Sequence, residues 1–139
     1  MCIAQLSRFF VRSISVALLV FLAAPALLAA PLVASQRAEI HALMAALHAS
    51  SCEFNRNNLW HNAADAKIHL LRKLDYLEGK NAVHSTEQFI ELAASKSSVS
   101  GRAYQVKCGS AAPVDSKDWL SDQLKLIRAT ARSVALAPK

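Results

Sequence analysis

Four polar residues recur at intervals of four in the middle of the chain: His61, Asp65, His69 and Lys73. On a helix this spacing stacks their side chains on one ridge. A carboxylate and imidazoles arranged in this way can orient one another for general base catalysis, or can bind a metal ion through His61, Asp65 and His69. A solvated helix face has the same composition, and we regard it as the simpler interpretation.

A second group of candidates lies in the serine-rich stretch SKSSVSGRAY, residues 95–104. Serines compete for backbone hydrogen bonds and so tend to end helices, and glycine allows conformations that other residues avoid. Hydroxyl groups and one tyrosine on a loop suit hydrogen bonding to a polar polymer or a protein partner. We therefore predict a non-enzymatic binding surface with His69 and Lys73 beside this loop. Its loop residues are Ser97, Ser98, Ser100, Gly101 and Tyr104.

Two other functions are compatible with these residues. One is a serine hydrolase in which a loop serine is activated by His69, itself oriented by Asp65. No nucleophile elbow is recognisable, however. The other rests on SGRAY, residues 100–104, which resembles the S-G-x-x-Y loop of periplasmic lysozyme inhibitors, whose serine and tyrosine enter the enzyme's cleft. Those inhibitors are β-rich, and lysozymes are basic like this chain.

The elements that must position these residues are mostly helical, because apolar residues recur three and four positions apart. The predicted helices span residues 36–49, 60–77, 86–94 and 116–135. Ser85 and Gln88 form a capping box for the third helix, and Asn57-Asn58 has the composition of a turn. Alternation over residues 104–108 predicts a short extended segment with no evident partner. The expected fold class is therefore mainly all-α, a small four-helix domain with one short extended segment.

The first 35 residues have the layout of an export signal. Arg8 and Arg12 precede an apolar run, and small residues follow. Cleavage after Ala26 or after Ser35 fits the small-residue rule, and we favour Ser35. Residues 1–35 are then a signal peptide, and residues 36–139 form one small domain in the periplasm or outside the cell. An uncleaved membrane anchor is the alternative, since the run is about long enough to span a bilayer.

The remaining cysteines, Cys52 and Cys108, are an even pair in an exported chain. Such a pair is most simply a disulfide, which a small domain needs because its core is limited. A reactive or metal-binding thiol pair is the alternative, but neither cysteine has a second cysteine or a histidine at ligand spacing.

Charge and motifs exclude several classes of function. Removal of Arg8 and Arg12 lowers the net charge from +6 to +4, without the dense Lys and Arg clusters of a nucleic-acid groove. The sequence contains no phosphate-binding glycine loop and no H-E-x-x-H pattern. We expect no nucleic-acid partner, no metal, no cofactor and no stable membrane insertion after signal cleavage.

Three strings carry a family resemblance: FNRNNLWHNAADAKIHLLRKL, HSTEQFIELAASKSSVSGRAY and WLSDQLKLIR. They resemble a family of small exported bacterial proteins whose domain has no known function. The approximate pattern of that family is F-x-R-N-G, A-x-x-H-L-x-x-K, T-A-E-x-F-I and A-S-x-S-S-x-S/T-G-K-P-Y. The resemblance implies an exported, mostly helical domain and brings no activity with it.

The resemblance also assigns motif positions to this chain. Asn58 replaces the pattern's glycine, residues 85–87 replace T-A-E, and Arg102-Ala103 replaces K-P, which frees the backbone before the final tyrosine. The matching residues are Arg56, Asn57, His69, Lys73, Glu87, Phe89, Ser97, Ser98, Ser100, Gly101 and Tyr104.

Overall fold

The computed structural model describes residues 30–136, which form helices around a small sheet. The helices are α1 (Ala34–Ala49), α2 (Ala63–Gly79), α3 (Thr86–Phe89), which continues as a π-helical turn (Ile90–Ala94), and α4 (Ser116–Leu136). The strands are β1 (Glu53–Arg56), β2 (Leu59–Asn62), β3 (Gln105–Lys107) and β4 (Val114–Asp115). They form one antiparallel sheet in the order β2-β1-β3-β4.

The sheet shows that the predicted all-α fold class is wrong. Each strand has two to four residues, too few for an alternating pattern to stand out from helical periodicity. Trp60 is the first residue of the predicted second helix, but it lies on β2 and its side chain is partly exposed. Helix α2 begins only at Ala63, where the side chain of Asn62 accepts a hydrogen bond from the backbone N–H of Asp65 at 2.9 Å.

The turn predicted at Asn57-Asn58 connects β1 to β2. Both residues have positive φ, +53° at Asn57 and +67° at Asn58. A two-residue hairpin turn with two such angles matches the right-handed twist of its strands, and asparagine tolerates this conformation well. The side chain of Asn55 accepts a hydrogen bond from the backbone N–H of Asn58 at 3.1 Å and further stabilises the turn.

The third helix begins after the predicted cap residue Ser85, but the predicted capping box is only half formed. The hydroxyl of Ser85 accepts a hydrogen bond from the backbone N–H of Gln88 at 3.1 Å. The side chain of Gln88 in turn accepts from the backbone N–H of His84 at 2.8 Å. The helix then widens into the π-helical turn before the serine-rich loop.

The core lies between the helices, including α2, and the inner face of the sheet. The stripe predicted for α1 is fully buried, and its members are Ile40, Leu43, Met44 and Leu47. Phe89 and Leu120 meet it from α3 and α4, and Val106 belongs to the same core from β3. Burial of such side chains contributes about 1.5–3 kcal/mol each, which makes this core the main stabilising element.

Helix α4 contacts the core only along its first half. Leu120 and Leu124 are buried and Ile127 is half-buried, but Ala131 and Val134 are exposed. With 21 residues against 16 in α1, α4 is longer by about 8 Å at 1.5 Å per residue. Its last two turns therefore extend past the core of the described residues.

The predicted disulfide is present and joins Cys52, just before β1, to Cys108, just after β3. Its Cα atoms are 4.3 Å apart, which matches the pairing of β1 with β3. The covalent bond therefore fixes the central strand pair of the sheet.

Most of the predicted signal peptide, residues 1–35, lies outside the described residues. Leu32 is described and belongs to the core, 9% exposed. Cleavage after Ser35 would remove it at a cost of about 1.5–3 kcal/mol, whereas cleavage after Ala26 would retain it. None of the helices formed by residues 30–136 combines the length and hydropathy that a membrane-crossing helix requires.

Candidate functional site

A cavity of about 230 Å³ lies where the β1–β2 hairpin meets α2. Strand register places Phe54 opposite His61, so both residues lie on the sheet face that also carries Arg56. The polar residues of its wall are Asn55, Arg56, His61, Asp65, His69, Arg72, Tyr104 and Ser116. Its apolar wall consists of Phe54, Ala66, Ile68 and Leu70.

Arg56 and His69 form the central pair of this cavity. Nη1 of Arg56 lies 2.7 Å from Nδ1 of His69. A guanidinium only donates hydrogen bonds, so Nδ1 must accept, and the neutral imidazole carries its proton on Nε2. Burial, together with the charges of Arg56, Lys73 and Arg72, lowers the pKa of His69 to about 4. His69 is therefore neutral near pH 7.

Three cationic side chains surround this neutral imidazole, and none of them is paired with an acid among residues 30–136. Arg56, Arg72 and Lys73 form no ion pair with any carboxylate in the described part of the chain. Asp65 also lines the cavity, but its carboxylate accepts a hydrogen bond from the side-chain amide of Asn62 at 2.9 Å. The cavity therefore has an excess of positive charge.

Two buried imidazole nitrogens of the cavity wall also lack partners. Nε2 of His61 and Nε2 of His69 have no hydrogen bond to any residue between 30 and 136. A buried polar atom without a partner costs about 1–3 kcal/mol. The cavity is thus polar but incompletely paired within the chain, as is common for a ligand site.

Lys73, which we predicted to lie beside the loop, contacts the π-helical turn and Tyr104. Its ammonium donates a hydrogen bond to the carbonyl of Ala93 at 2.6 Å and lies 5.2 Å from the ring centre of Tyr104. Burial lowers its pKa, and the charge of Arg56 contributes in the same direction. His61 lies on β2, so the predicted helical ridge begins only at Asp65. Its other end is only partly solvated, because Lys73 is half-buried against the π-helical turn.

Tyr104 lies at the base of the loop and is 8% exposed. Its ring meets that of His69 edge-on, with ring centres 6.3 Å apart. Burial raises its pKa, while the charge of Arg56 and a hydrogen bond with the Ser97 side chain oppose that rise. Tyr104 therefore joins the loop to the cavity.

The loop between Ser97 and Tyr104 is a short hairpin that is held by backbone hydrogen bonds. The backbone N–H of Ser97 donates to the carbonyl of Arg102, and that of Gly101 donates to the carbonyl of Ser97, both at 2.9 Å. Gly101 has φ +69°, a conformation that favours glycine. The buried Ser97 hydroxyl accepts from the backbone N–H of Ser100 at 3.2 Å.

The outer residues of this loop remain accessible. Ser98, Ser100 and Gly101 are exposed, and Val99 between them is 98% exposed. The hydroxyl of Ser100 donates to the side-chain oxygen of Asn57 at 2.7 Å, which ties the loop to the β1–β2 turn. The predicted site residues thus divide into an exposed apex and a buried base formed by Ser97 and Tyr104.

The contacts do not assemble the alternative sites. Nδ1 of His69 is occupied by Arg56 and Nε2 has no partner, so neither a carboxylate nor a loop serine among the described residues bonds to this imidazole. The same guanidinium disfavours a cation at His69, and residues 30–136 contain no cluster suited to a metal ion. Tyr104 is too buried to enter another protein's cleft as a lysozyme-inhibitor loop would.

The two arginines of the cavity wall were not among the site residues predicted from the sequence. Arg56 was a motif position next to a turn, and without the strand β1 no face could be assigned to it. Arg72 lies three residues after His69, so it shares that side of α2. A search for residues three as well as four positions away from His69 would have included Arg72.

No curated protein and no solved structure is significantly similar to this chain. The model of a family of unknown function, DUF5329, matches residues 34–128, which contain the cavity, the loop and both cysteines of the disulfide. The chain therefore belongs to this family of unknown function, DUF5329.

Proposed function

We propose that the protein is a non-enzymatic binding module that acts outside the cytoplasm, in the periplasm or as a secreted protein. Its recognition surface consists of the exposed apex of the 97–104 loop and the cavity at Arg56 and His69. The ligand is a polar molecule, or a polar group of an envelope partner. The disulfide between Cys52 and Cys108 supports an oxidising compartment.

The observation that carries the proposal is the arrangement of Arg56. Its guanidinium is half-buried, contacts a neutral imidazole at 2.7 Å and has no carboxylate partner in the described part of the chain. Buried or half-buried charges are normally paired. A bound ligand would supply the missing partner, and the surrounding fold already holds the guanidinium in place.

The loop favours recognition for a different reason. Its base is held by backbone hydrogen bonds and by the contact of Ser100 with Asn57. A loop that is ordered before binding loses less conformational entropy on binding. Its exposed hydroxyls can therefore contribute hydrogen bonds at low cost.

Catalysis has weaker support. A general base works best when its pKa is close to the working pH. The pKa of His69 is about 4, and its Nδ1 already accepts a hydrogen bond from Arg56. We therefore expect that an active-site-directed serine reagent does not label the protein.

Chemical-shift mapping with ¹⁵N-labelled protein tests the proposal. The probes are soluble envelope fragments: neutral oligosaccharides, short peptides and peptide–sugar fragments. We expect at least one probe to shift the signals of Arg56, His69, Tyr104 and the loop apex, and to be recovered chemically unchanged. Shifts that map only to α1 or α4, or turnover of a probe that His69→Ala abolishes, would contradict the proposal.

A further inference from the structure

We infer that the cavity binds a carboxylate group, with the guanidinium of Arg56 as its principal partner. This inference rests on the proposed binding function and names the ligand class for the cavity. The carboxylate belongs either to a small molecule or to the free end of a peptide.

The first argument is that one edge of the planar Arg56 guanidinium has no hydrogen-bond partner among residues 30–136. Only Nη1 has a partner among residues 30–136, and that partner is Nδ1 of His69. The Nε and Nη2 donors of the same guanidinium therefore remain. A carboxylate matches such an edge with two parallel hydrogen bonds, which are about twice as strong as those between neutral groups.

The second argument is the charge of the ligand. Arg56 and Arg72 line the cavity and form no ion pair with an acid among residues 30–136, which favours an anion. Asp65 lines the same cavity, so a doubly charged anion such as phosphate meets repulsion. Because His69 is neutral, it adds no positive charge to the cavity. A group with one negative charge fits this balance best.

The third argument is size and polarity. A volume of about 230 Å³ holds roughly eight water molecules at ~30 Å³ each. It therefore admits a small acid or the last residue or two of a peptide. The apolar part of the wall, which includes Phe54, Ile68 and Leu70, can contact a short aliphatic side chain.

Isothermal titration with matched probes tests this inference. N-acetylalanine carries the carboxylate, and N-acetylalaninamide has nearly the same shape without the charge. We expect the acid to bind about tenfold or more tightly than the amide, because only the acid can pair with Arg56. Inorganic phosphate should bind more weakly than the acid, and added salt should weaken binding of the acid.

Two variants of Arg56 and one control complete the experiment. Arg56→Gln should lower the affinity for N-acetylalanine about tenfold or more, because the ion pair is lost. Arg56→Lys keeps the charge but not the planar edge, and should weaken binding less. Arg132→Gln makes the same chemical change at an exposed position of α4 and should bind like the unmodified protein. Amide spectra of each variant verify its fold.

Trialanine with a free or an amidated carboxyl end distinguishes the two sources. Tighter binding of free trialanine than of N-acetylalanine assigns the site to a peptide end, and the reverse order assigns it to a small acid. Equal binding of acid and amide, no binding of either, or unchanged binding to Arg56→Gln would overturn the inference. If neutral fragments still shift the cavity signals in that case, the proposed binding function stands without it.

Discussion

The side chains near the cavity show how one residue can serve the fold and the site together. The last carbonyls of a helix lack partners within the helix. The Ser95 hydroxyl donates to the carbonyl of Ile90 at 3.0 Å, and Lys73 donates to that of Ala93. Lys73 thus completes the end of the π-helical turn while it contacts Tyr104. His69 likewise holds Arg56 and packs against Tyr104.

The pKa of His69 predicts how its environment affects stability. It is about 4 in the folded protein and 6.5 in the reference state. Below pH 6.5 the unfolded chain takes up a proton that the folded protein excludes until about pH 4. The stabilising contribution of His69 is thus complete above pH 6.5 and is lost as the pH falls towards 4. We expect a loss of about 2 kcal/mol, below the full linkage value because the ring is partly exposed to water.

Urea unfolding of the unmodified protein and of His69→Asn between pH 7.5 and about 4 measures this effect. The asparagine oxygen can accept the hydrogen bond from Arg56 but does not titrate, so the variant should lose less stability over this range. His41→Asn is the matched control, since His41 is exposed on α1. Parallel pH profiles for the unmodified protein and His69→Asn would show that the imidazole is not shielded from protonation.

Among the elements, the β1–β2 hairpin has the greatest influence on the site. It carries Arg56 and His61 on its inner face and Asn57 at its turn. Strands of four residues have little intrinsic stability, so the hairpin depends on its turn and on pairing with β3. The same turn holds the loop through Ser100. A change in the turn therefore affects both halves of the proposed recognition surface.

Substitution of Asn58 tests the importance of this turn. Asn58 has φ +67°, a conformation that costs a residue such as alanine about 1 kcal/mol or more. Asn58→Ala should therefore lower the free energy of unfolding by about 1 kcal/mol, while Asn58→Gly should retain the stability of the unmodified protein. Thermal unfolding measures both. Equal melting temperatures for the alanine and glycine variants would contradict the assigned turn conformation.

Besides its core, the whole molecule has a few polar and covalent links between distant parts of the chain. Arg128 on α4 donates to Glu39 of α1 and Glu87 of α3, both at 2.6 Å. Its guanidinium lowers the pKa of both carboxyls. The disulfide links two segments that are 56 residues apart in the sequence. The contacts of Arg128 thus join three helices, and the disulfide joins the two central strands of the sheet.

Removal of the disulfide should have a large effect on the whole molecule. In the chain-entropy model, closure of a loop of this length contributes at most about 4 kcal/mol. A Cys52→Ala/Cys108→Ala variant should therefore unfold at clearly lower urea concentration. Reductant should shift the unmodified protein in the same direction and leave the double variant unchanged, which is the internal control. Coincident midpoints for the oxidised, reduced and substituted proteins would refute a stabilising role for the bond.

The sequence by itself determined the features that depend on neighbouring residues. The stripe of α1, the cap at Ser85, the turn at Asn57-Asn58 and the start of α4 at Ser116 follow from local spacing and side-chain chemistry. The disulfide followed from the even cysteine count in a chain predicted to be exported. Each of these needs information from only a few positions.

Only the tertiary structure decided the sheet and the cavity. Strands of two to four residues carry too little alternation to be recognised, and β1 pairs with β3 about fifty residues away, so local propensity could not indicate either. The contact of Arg56 with His69 arises from this pairing, because the hairpin must fold back on α2 before the two side chains meet. The loop residues were identified from sequence, but the division into an exposed apex and a buried base depends on packing around Tyr104.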